Sequence, residues 1–92
     1  MDLRIDYQET RKTGQEVQSK AADFGKLLGE IDALNNNLKQ SWKGADAESY
    51  TAKIAEQAQV MNKLKTTMDE IGAFLIKVGD AYEQAMEENK IQ

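Results

Sequence analysis

Residues 42–50 read WKGADAESY and interrupt an otherwise continuous helical pattern. They contain Trp42, the only tryptophan of the 92-residue chain. Gly44 is suited to the left-handed conformation that closes a helix, and Asp46 is suited to capping the helix that follows. The segment therefore predicts a helical hairpin whose turn covers residues 43–45.

The flanking sequences predict one long helix on each side of this turn, over residues 6–42 and 46–89. Asp6 and Glu9 have the spacing of a capping box, which places the first helix start near Asp6. The chain contains no proline, so the strongest helix breaker is missing throughout. Length and even composition predict a single all-α domain over residues 1–92.

Apolar and small residues follow a heptad spacing in both predicted helices. In the first helix the spacing gives Leu3, Tyr7, Thr10, Gly14, Val17, Ala21, Phe24, Leu28, Ile31, Asn35, Leu38 and Trp42. In the second it gives Tyr50, Ile54, Gln57, Met61, Leu64, Met68, Ile71, Leu75, Val78, Tyr82 and Ala85. Because a short turn makes the helices antiparallel neighbours, we expect Val17 to lie level with Ile71.

Two polar residues, Asn35 and Gln57, belong to these stripes. The antiparallel pairing places them within about one helical turn of each other. Either they hydrogen-bond across the hairpin and fix its register, or both lie near water.

The composition excludes several classes of function. With no cysteine and no histidine, the chain has no disulfide, no thiol or imidazole catalyst and no common zinc site. Glu83, Glu87 and Glu88 are interpreted as a solvated acidic helix end rather than a cation site. We expect neither an enzyme nor a cofactor, and no metal.

The charge pattern argues against nucleic acid as a partner. The formal net charge is -4, and lysines are interspersed with acidic residues instead of forming a basic stripe. The strongly apolar run Phe74-Leu75-Ile76 is far shorter than the roughly 20 residues of a membrane-spanning helix. We expect no stable membrane insertion.

A single pair of helices leaves much of its surface in water, so a partner is expected. The residues predicted to face that partner are Ala22, Gly25, Leu27, Gly29, Leu34, Val60 and Phe74. The leucines, Val60 and Phe74 widen the apolar stripes. The small residues either allow close helix approach or are merely tolerated on a surface helix.

Two aromatic residues mark the turn. Trp42 ends the first stripe and Tyr50 lies in the first turn of the second helix, so their rings can pack across Gly44. The pair is either a plug that closes the hairpin end or a partly exposed recognition site, because exposed aromatics are enriched at such sites.

The chain resembles the WXG family of small bacterial proteins exported by type VII secretion. The resemblance rests on Trp42-Lys43-Gly44 at the centre, the aromatic Tyr50 and two flanking amphipathic helices, and it spans essentially the whole chain. It implies a helical hairpin from a Gram-positive bacterium that dimerises with itself or with a related hairpin into a four-helix bundle. It also implies export by a membrane ATPase, with Trp42, Gly44 and Tyr50 as the recognition turn.

The carboxy-terminal export motif of the family is incomplete here. It consists of a tyrosine with an acidic residue four positions later, but Tyr82 is followed at that distance by Met86. Glu87 comes one position too late, which rotates its side chain by about 100° on a helix. The resemblance assigns Tyr82 and Glu87 to the export tail, and the acidic part of the signal is expected from a partner.

Three functions are compared on this basis. The first is a secreted interaction protein or export partner, cytoplasmic before export and without a cleaved signal peptide, because the acidic amino terminus lacks a basic n-region. The second is a cytosolic adaptor or chaperone for a larger toxin. The third is membrane perturbation through Leu27, Leu34, Phe74 and Ile76, which the mixed charges of the helices disfavour.

Overall fold

The structure, a computed structural model, describes the backbone of residues 6–91 and the side chains of residues 6–88. It consists of α1 (Tyr7–Ser41) and α2 (Ala45–Ile91), with no strand in the described range. The predicted all-α class and two-helix hairpin are confirmed. The predicted stripe residue Leu3 lies outside the described residues.

The first helix begins at a side-chain cap. The Glu9 backbone N–H donates to Asp6 Oδ1 at 3.0 Å, and the Thr10 N–H donates to the Asp6 carbonyl at 2.9 Å. These bonds satisfy donors that have no partner within the helix. The predicted cap at Asp6 is confirmed, and α1 begins one residue later, at Tyr7.

The turn depends on Gly44, which has a φ of 124°. Residues with a Cβ atom rarely adopt this conformation, so glycine is needed here. The Gly44 carbonyl accepts a bond from the Glu48 N–H at 3.2 Å, and α2 begins at Ala45. The predicted cap at Asp46 is therefore wrong, because the helix starts before it. Asp46 lies in the first turn, where its charge favours the positive end of the helix dipole.

Contacts divide the chain into two compact units. One combines the described parts of residues 1–20 and 67–92, and the other comprises residues 21–66. Each unit contains one segment of α1 packed against one segment of α2, and each is described separately below.

In the first unit the helices meet at buried glycines. A Cβ added to Gly14 would lie 2.7 Å from the Gly72 carbonyl oxygen, and one added to Gly79 would lie 2.8 Å from the Tyr7 carbonyl oxygen. Such distances leave no room for a methyl group, so the two backbones touch directly. Gly14 lies opposite Gly72 and Ile76. This level agrees with the expected pairing of Val17 with Ile71.

In the second unit the helices enclose a polar pair. Asn35 and Thr51 are 5% and 3% exposed, and Asn35 Nδ2 donates to the Thr51 carbonyl at 3.1 Å. The Thr51 hydroxyl donates to the Ala47 carbonyl at 2.9 Å. Gln57 is exposed. The hypothesis that Asn35 bonds Gln57 is therefore wrong, because the backbone of α2 offers the nearer acceptor.

The contact line on α2 agrees with the predicted one only in part, since Ile54, Met61, Met68 and Leu75 are half-buried as expected. Tyr50, Leu64, Ile71 and Tyr82 belong to the predicted stripe, yet all four are exposed. The positions that face α1 recur every seven residues and are buried or half-buried: Thr51, Ala58, Lys65, Gly72 and Gly79. The small residues at this line, Thr51, Ala58, Gly72 and Gly79, allow a closer approach of the helices than large residues would.

Candidate recognition surfaces

The hairpin turn holds a stacked aromatic pair. The Trp42 and Tyr50 rings have centroids 5.5 Å apart and planes inclined by 16°. The backbone N–H of Trp42 donates to the Leu38 carbonyl at 2.8 Å and so continues the hydrogen bonding of α1. Trp42 is 39% exposed and Tyr50 is 58% exposed. The structure thus brings these two predicted site residues together and leaves both accessible.

A groove of about 360 Å³ lies beside the indole. Its lining residues are Lys39, Trp42, Ala47, Glu48, Thr51 and Ala52. It combines an aromatic wall and small apolar side chains with one cationic and one anionic residue. Such a groove is suited to an apolar or aromatic side chain flanked by charged groups.

A second, apolar groove of about 200 Å³ lies elsewhere in the same unit. It is lined by Ile31, Leu34, Asn35, Leu38 and Ile54. Leu34 is 68% exposed. Leu27, seven residues before Leu34, is 46% exposed, and Val60 is 58% exposed. Large apolar side chains are usually more buried than this. These side chains are accessible in the single chain, and their contact with a partner stays a prediction.

The small residues of the predicted interface lie on another side of α1. Leu27 and Gly29 differ by two positions, which corresponds to about 200° on a helix. Ala22 and Gly29 share a face because they are seven positions apart, as do Leu27 and Leu34. Both Ala22 and Gly29 are exposed. The seven predicted interface residues therefore do not form one continuous surface.

Two more of these residues have different environments. Gly25 is half-buried, and a Cβ added there would lie 2.7 Å from Cε of Lys65. The Lys65 stem therefore covers Gly25 within the chain. Phe74 belongs to the other unit and is 64% exposed, as is expected of a residue available to a partner.

A larger groove of about 540 Å³ carries mostly polar and small residues. It is lined by Leu28, Asp32, Ala55, Ala58, Gln59, Asn62 and Lys63.

No group of three or more acidic residues suited to a metal ion occurs within the described part of the chain.

The carboxy-terminal segment is helical through Ile91. Tyr82, Met86 and Glu87 are exposed. On a regular helix Tyr82 and Met86 are about 40° apart, whereas Tyr82 and Glu87 are about 140° apart. The structure therefore places the methionine beside the tyrosine, and it does not bring the two predicted tail residues onto one face.

Sequence reasoning missed an ion-pair cluster in the first unit. Arg11 Nε donates to Asp80 Oδ1 at 2.8 Å, and Arg11 Nη2 donates to the Glu83 carboxylate. The hydrogen bond that Arg11 donates to Glu83 is the main cause of the raised pKa of Arg11, and Asp80 adds to it. The interpretation of Glu83 as part of a merely solvated acidic end is wrong, because Arg11 pairs with it. The predicted pairing level offered a signal, since it places Arg11 within one turn of Asp80.

The guanidinium group of Arg11 also lies near the start of α1. Its carbon is 6.0 Å from the centroid of the Tyr7 ring, which is within range of a cation–π contact.

Neither helix, over the residues that the structure describes, has a stretch both long and apolar enough to cross a membrane.

Comparison with known proteins gives one family and one structure. The model of the family described as proteins of 100 residues with WXG, WXG100, matches residues 2–86. A crystal structure of Geobacillus thermodenitrificans EsxA (crystal form I) superposes with a TM-score of 0.83, covers 99% of both chains and shares 19% sequence identity. The likeness to that structure shows a common fold. A search of curated proteins gives no significant match. Since the family model covers nearly the whole sequence, the chain belongs to the WXG100 family.

Proposed function

We propose that this chain is a non-enzymatic interaction protein that leaves the cell through a type VII secretion system. Its membership in WXG100 supports the secretion route, and the family is one of small helical proteins. The single observation that carries the recognition role is the Trp42–Tyr50 stack at the turn, where both rings remain accessible.

The turn acts as a preformed recognition element. Gly44 sets the direction of the chain, and the stack holds the indole in one orientation before any partner binds. Preorganised aromatic side chains lose little conformational entropy on binding, which is why they are frequent at the centres of interfaces. The adjacent groove between Lys39 and Glu48 accepts the segment that contacts the indole.

The chain acts as a dimer with a second helical hairpin, either another copy or a related chain. Leu27, Leu34 and Val60 in one unit and Phe74 in the other are the apolar contact residues. Their exposure in the single chain supports this role, since Leu27 and Leu34 share a face of α1 and exposed apolar patches on soluble proteins usually mark interaction sites. Dimerisation through them gives a four-helix bundle.

The partner also supplies part of the export signal. Tyr82 is accessible, but Met86 occupies the position next to it on the helix, and Glu87 points elsewhere. An acidic tail from the second hairpin, combined with the Trp42 turn of this chain, completes the signal for the membrane ATPase. The chain is cytoplasmic before export and is secreted without cleavage. A larger toxin is a further partner if the chain acts as an adaptor.

Secretion from the native host tests the role of the turn. Trp42→Ala is expected to retain most of the helicity in circular dichroism and to lower the extracellular amount at least tenfold. Lys43→Ala, at the exposed position next to it, is the matched control and should be secreted normally. Deletion of the membrane ATPase should retain the wild-type chain in the cell.

Three results would overturn the proposal in different ways. Normal secretion after deletion of the ATPase excludes the export route. Wholesale unfolding of Trp42→Ala shows that the stack is a structural plug. Co-purification of the cytoplasmic chain with a stoichiometric large toxin, without extracellular chain, supports the adaptor function in its place.

A further inference from the structure

The contact between the start of α1 and the last third of α2 consists of a close backbone approach at Gly79 and two ion pairs of Arg11. Gly79 allows the α2 backbone to touch Tyr7 and Arg11, because any Cβ there would lie 2.8 Å from the Tyr7 carbonyl oxygen and 3.1 Å from Arg11 Cβ. Arg11 then spans to Asp80 and Glu83. Two carboxylates on one guanidinium fix both the distance between the helices and the rotation of α2 at this point.

Tyr82 lies between the two paired carboxylates in the sequence. Positions 80, 82 and 83 occupy one helical turn, so fixing Asp80 and Glu83 also fixes the direction in which Tyr82 projects. The tyrosine is 46% exposed and Met86, one turn later, is 41% exposed. Arg11 holds the flank of the helix that carries Asp80 and Glu83, and thereby fixes the direction in which this pair projects.

We infer that Arg11 is a positioning residue for the carboxy-terminal recognition segment. The inference rests on the proposed role of Tyr82 in export, and it assigns to α1 the task of presenting that residue. Arg11 makes no contact with the export machinery itself. It keeps residues 80–88 helical and in one rotational setting, so that the binding partner meets an ordered surface.

The charge balance of the cluster supports this assignment. Three acidic residues, Asp80, Glu83 and Glu87, follow one another on one face of α2, where their mutual repulsion disfavours the helix. They also lie toward the negative end of the helix dipole. Arg11 offsets both effects for the first two of them. Without it, the last turns of α2 are expected to open more often.

Amide hydrogen exchange measured by mass spectrometry tests the inference independently of export. In Arg11→Gln, peptides covering residues 80–88 are expected to exchange at least fivefold faster, while peptides covering residues 45–66 are unchanged. Arg11→Lys keeps the charge but loses the forked geometry, and it should restore protection only in part. Lys12→Gln removes the same charge from the neighbouring exposed position and should match the wild type.

The paired substitution Asp80→Asn/Glu83→Gln tests the cluster from the other side. It removes the ion pairs together with the repulsion between the carboxylates, so it should accelerate exchange less than Arg11→Gln does. Adding Arg11→Gln to it should produce no further increase, because the interaction of Arg11 is already lost. Additive effects, or unchanged exchange in Arg11→Gln, would overturn the assignment.

Secretion separates this inference from the proposed function. If both Tyr82→Ala and Arg11→Gln lose export, both ideas hold. If Tyr82→Ala loses export while Arg11→Gln is secreted normally, the positioning role fails and the tail role stands. If Tyr82→Ala is secreted normally, the tail role fails, and the positioning role for recognition fails with it.

Discussion

At the scale of single residues, Asn35 is the clearest conflict between packing and polarity in the chain. Its Nδ2 group has a partner in the Thr51 carbonyl, but its buried Oδ1 has no hydrogen-bond partner among residues 6–88. An unpaired buried oxygen costs about 1–3 kcal/mol of stability. Because the Thr51 carbonyl lies inside α2, it also accepts the usual helical hydrogen bond, so it does not depend on Asn35.

Replacement of Asn35 is therefore expected to stabilise the hairpin. Asn35→Leu should raise the free energy of unfolding by about 1–2 kcal/mol, because it removes the unpaired oxygen and buries apolar surface. Urea denaturation followed by circular dichroism measures the change. Asn36→Leu, at the adjacent exposed position, should change stability by less than about 0.5 kcal/mol. Lower stability of Asn35→Leu would mean that the carboxamide makes a net favourable contribution.

Single residues also show which local features are readable from sequence. Asp6 and Gly44 were predicted correctly, because a cap and a positive φ are set by the residue and its immediate neighbours. Arg11 was missed as a structural residue, because its partners lie in the other helix. Side chains as long as arginine reach across a helix pair in several directions, so their partners are not determined by heptad position alone.

At the scale of the helices, the contact at Gly14 and Gly72 decides how closely α1 and α2 approach. Each glycine occupies a position where a Cβ would meet a backbone oxygen of the other helix within 2.8 Å. Backbone atoms in two long helices shift less readily than side chains, so a methyl group there forces the helices apart. Gly29 provides a natural comparison, since an added Cβ would meet no heavy atom within 4 Å in the described structure.

The two positions should respond oppositely to the same substitution. Gly72→Ala is expected to lower the free energy of unfolding by about 1–3 kcal/mol through overpacking. Gly29→Ala is expected to raise it by about 0.5–1 kcal/mol, because alanine favours the helix where space is free. Thermal and urea denaturation monitored by circular dichroism provide the comparison. Equal stabilisation by both changes would contradict the direct backbone contact.

The rotation of α2 could not be predicted from its pattern. The heptad stripe of α2 is broad, since the residues that are exposed in the single chain are as apolar as the residues that contact α1. The periodicity identifies the apolar side of the helix but not which part of it faces α1. Glycine and alanine positions decide that point, and they contribute little to a search for large apolar residues.

At the scale of the whole molecule, the two-helix fold leaves large apolar side chains uncovered. Among residues 6–88, Ala21, Leu28 and Ala47 are the only buried apolar residues. Such a small interior supplies limited stability. We therefore expect association with a second hairpin to contribute substantially to the stability of the folded chain.

Charged substitutions at the apolar groove test this association. Leu34→Glu is expected to raise the dimer dissociation constant at least tenfold, which corresponds to about 1.4 kcal/mol, because it would bury an unpaired carboxylate at the proposed contact. Analytical ultracentrifugation over a range of concentrations measures the constant. Asn36→Glu lies about 200° away on α1 and should leave it unchanged. A wild-type chain that remains monomeric and fully folded when dilute would refute the need for a partner.

The position of Trp42 at the turn has a practical consequence for experiments. Since it is the only indole in the protein, its fluorescence reports on that end of the hairpin without any attached dye. Binding at the turn should shift its emission to shorter wavelength and shield it from quenching by iodide. Binding that involves only residues of the first unit should leave the spectrum unchanged, so a simple optical titration distinguishes where a ligand binds.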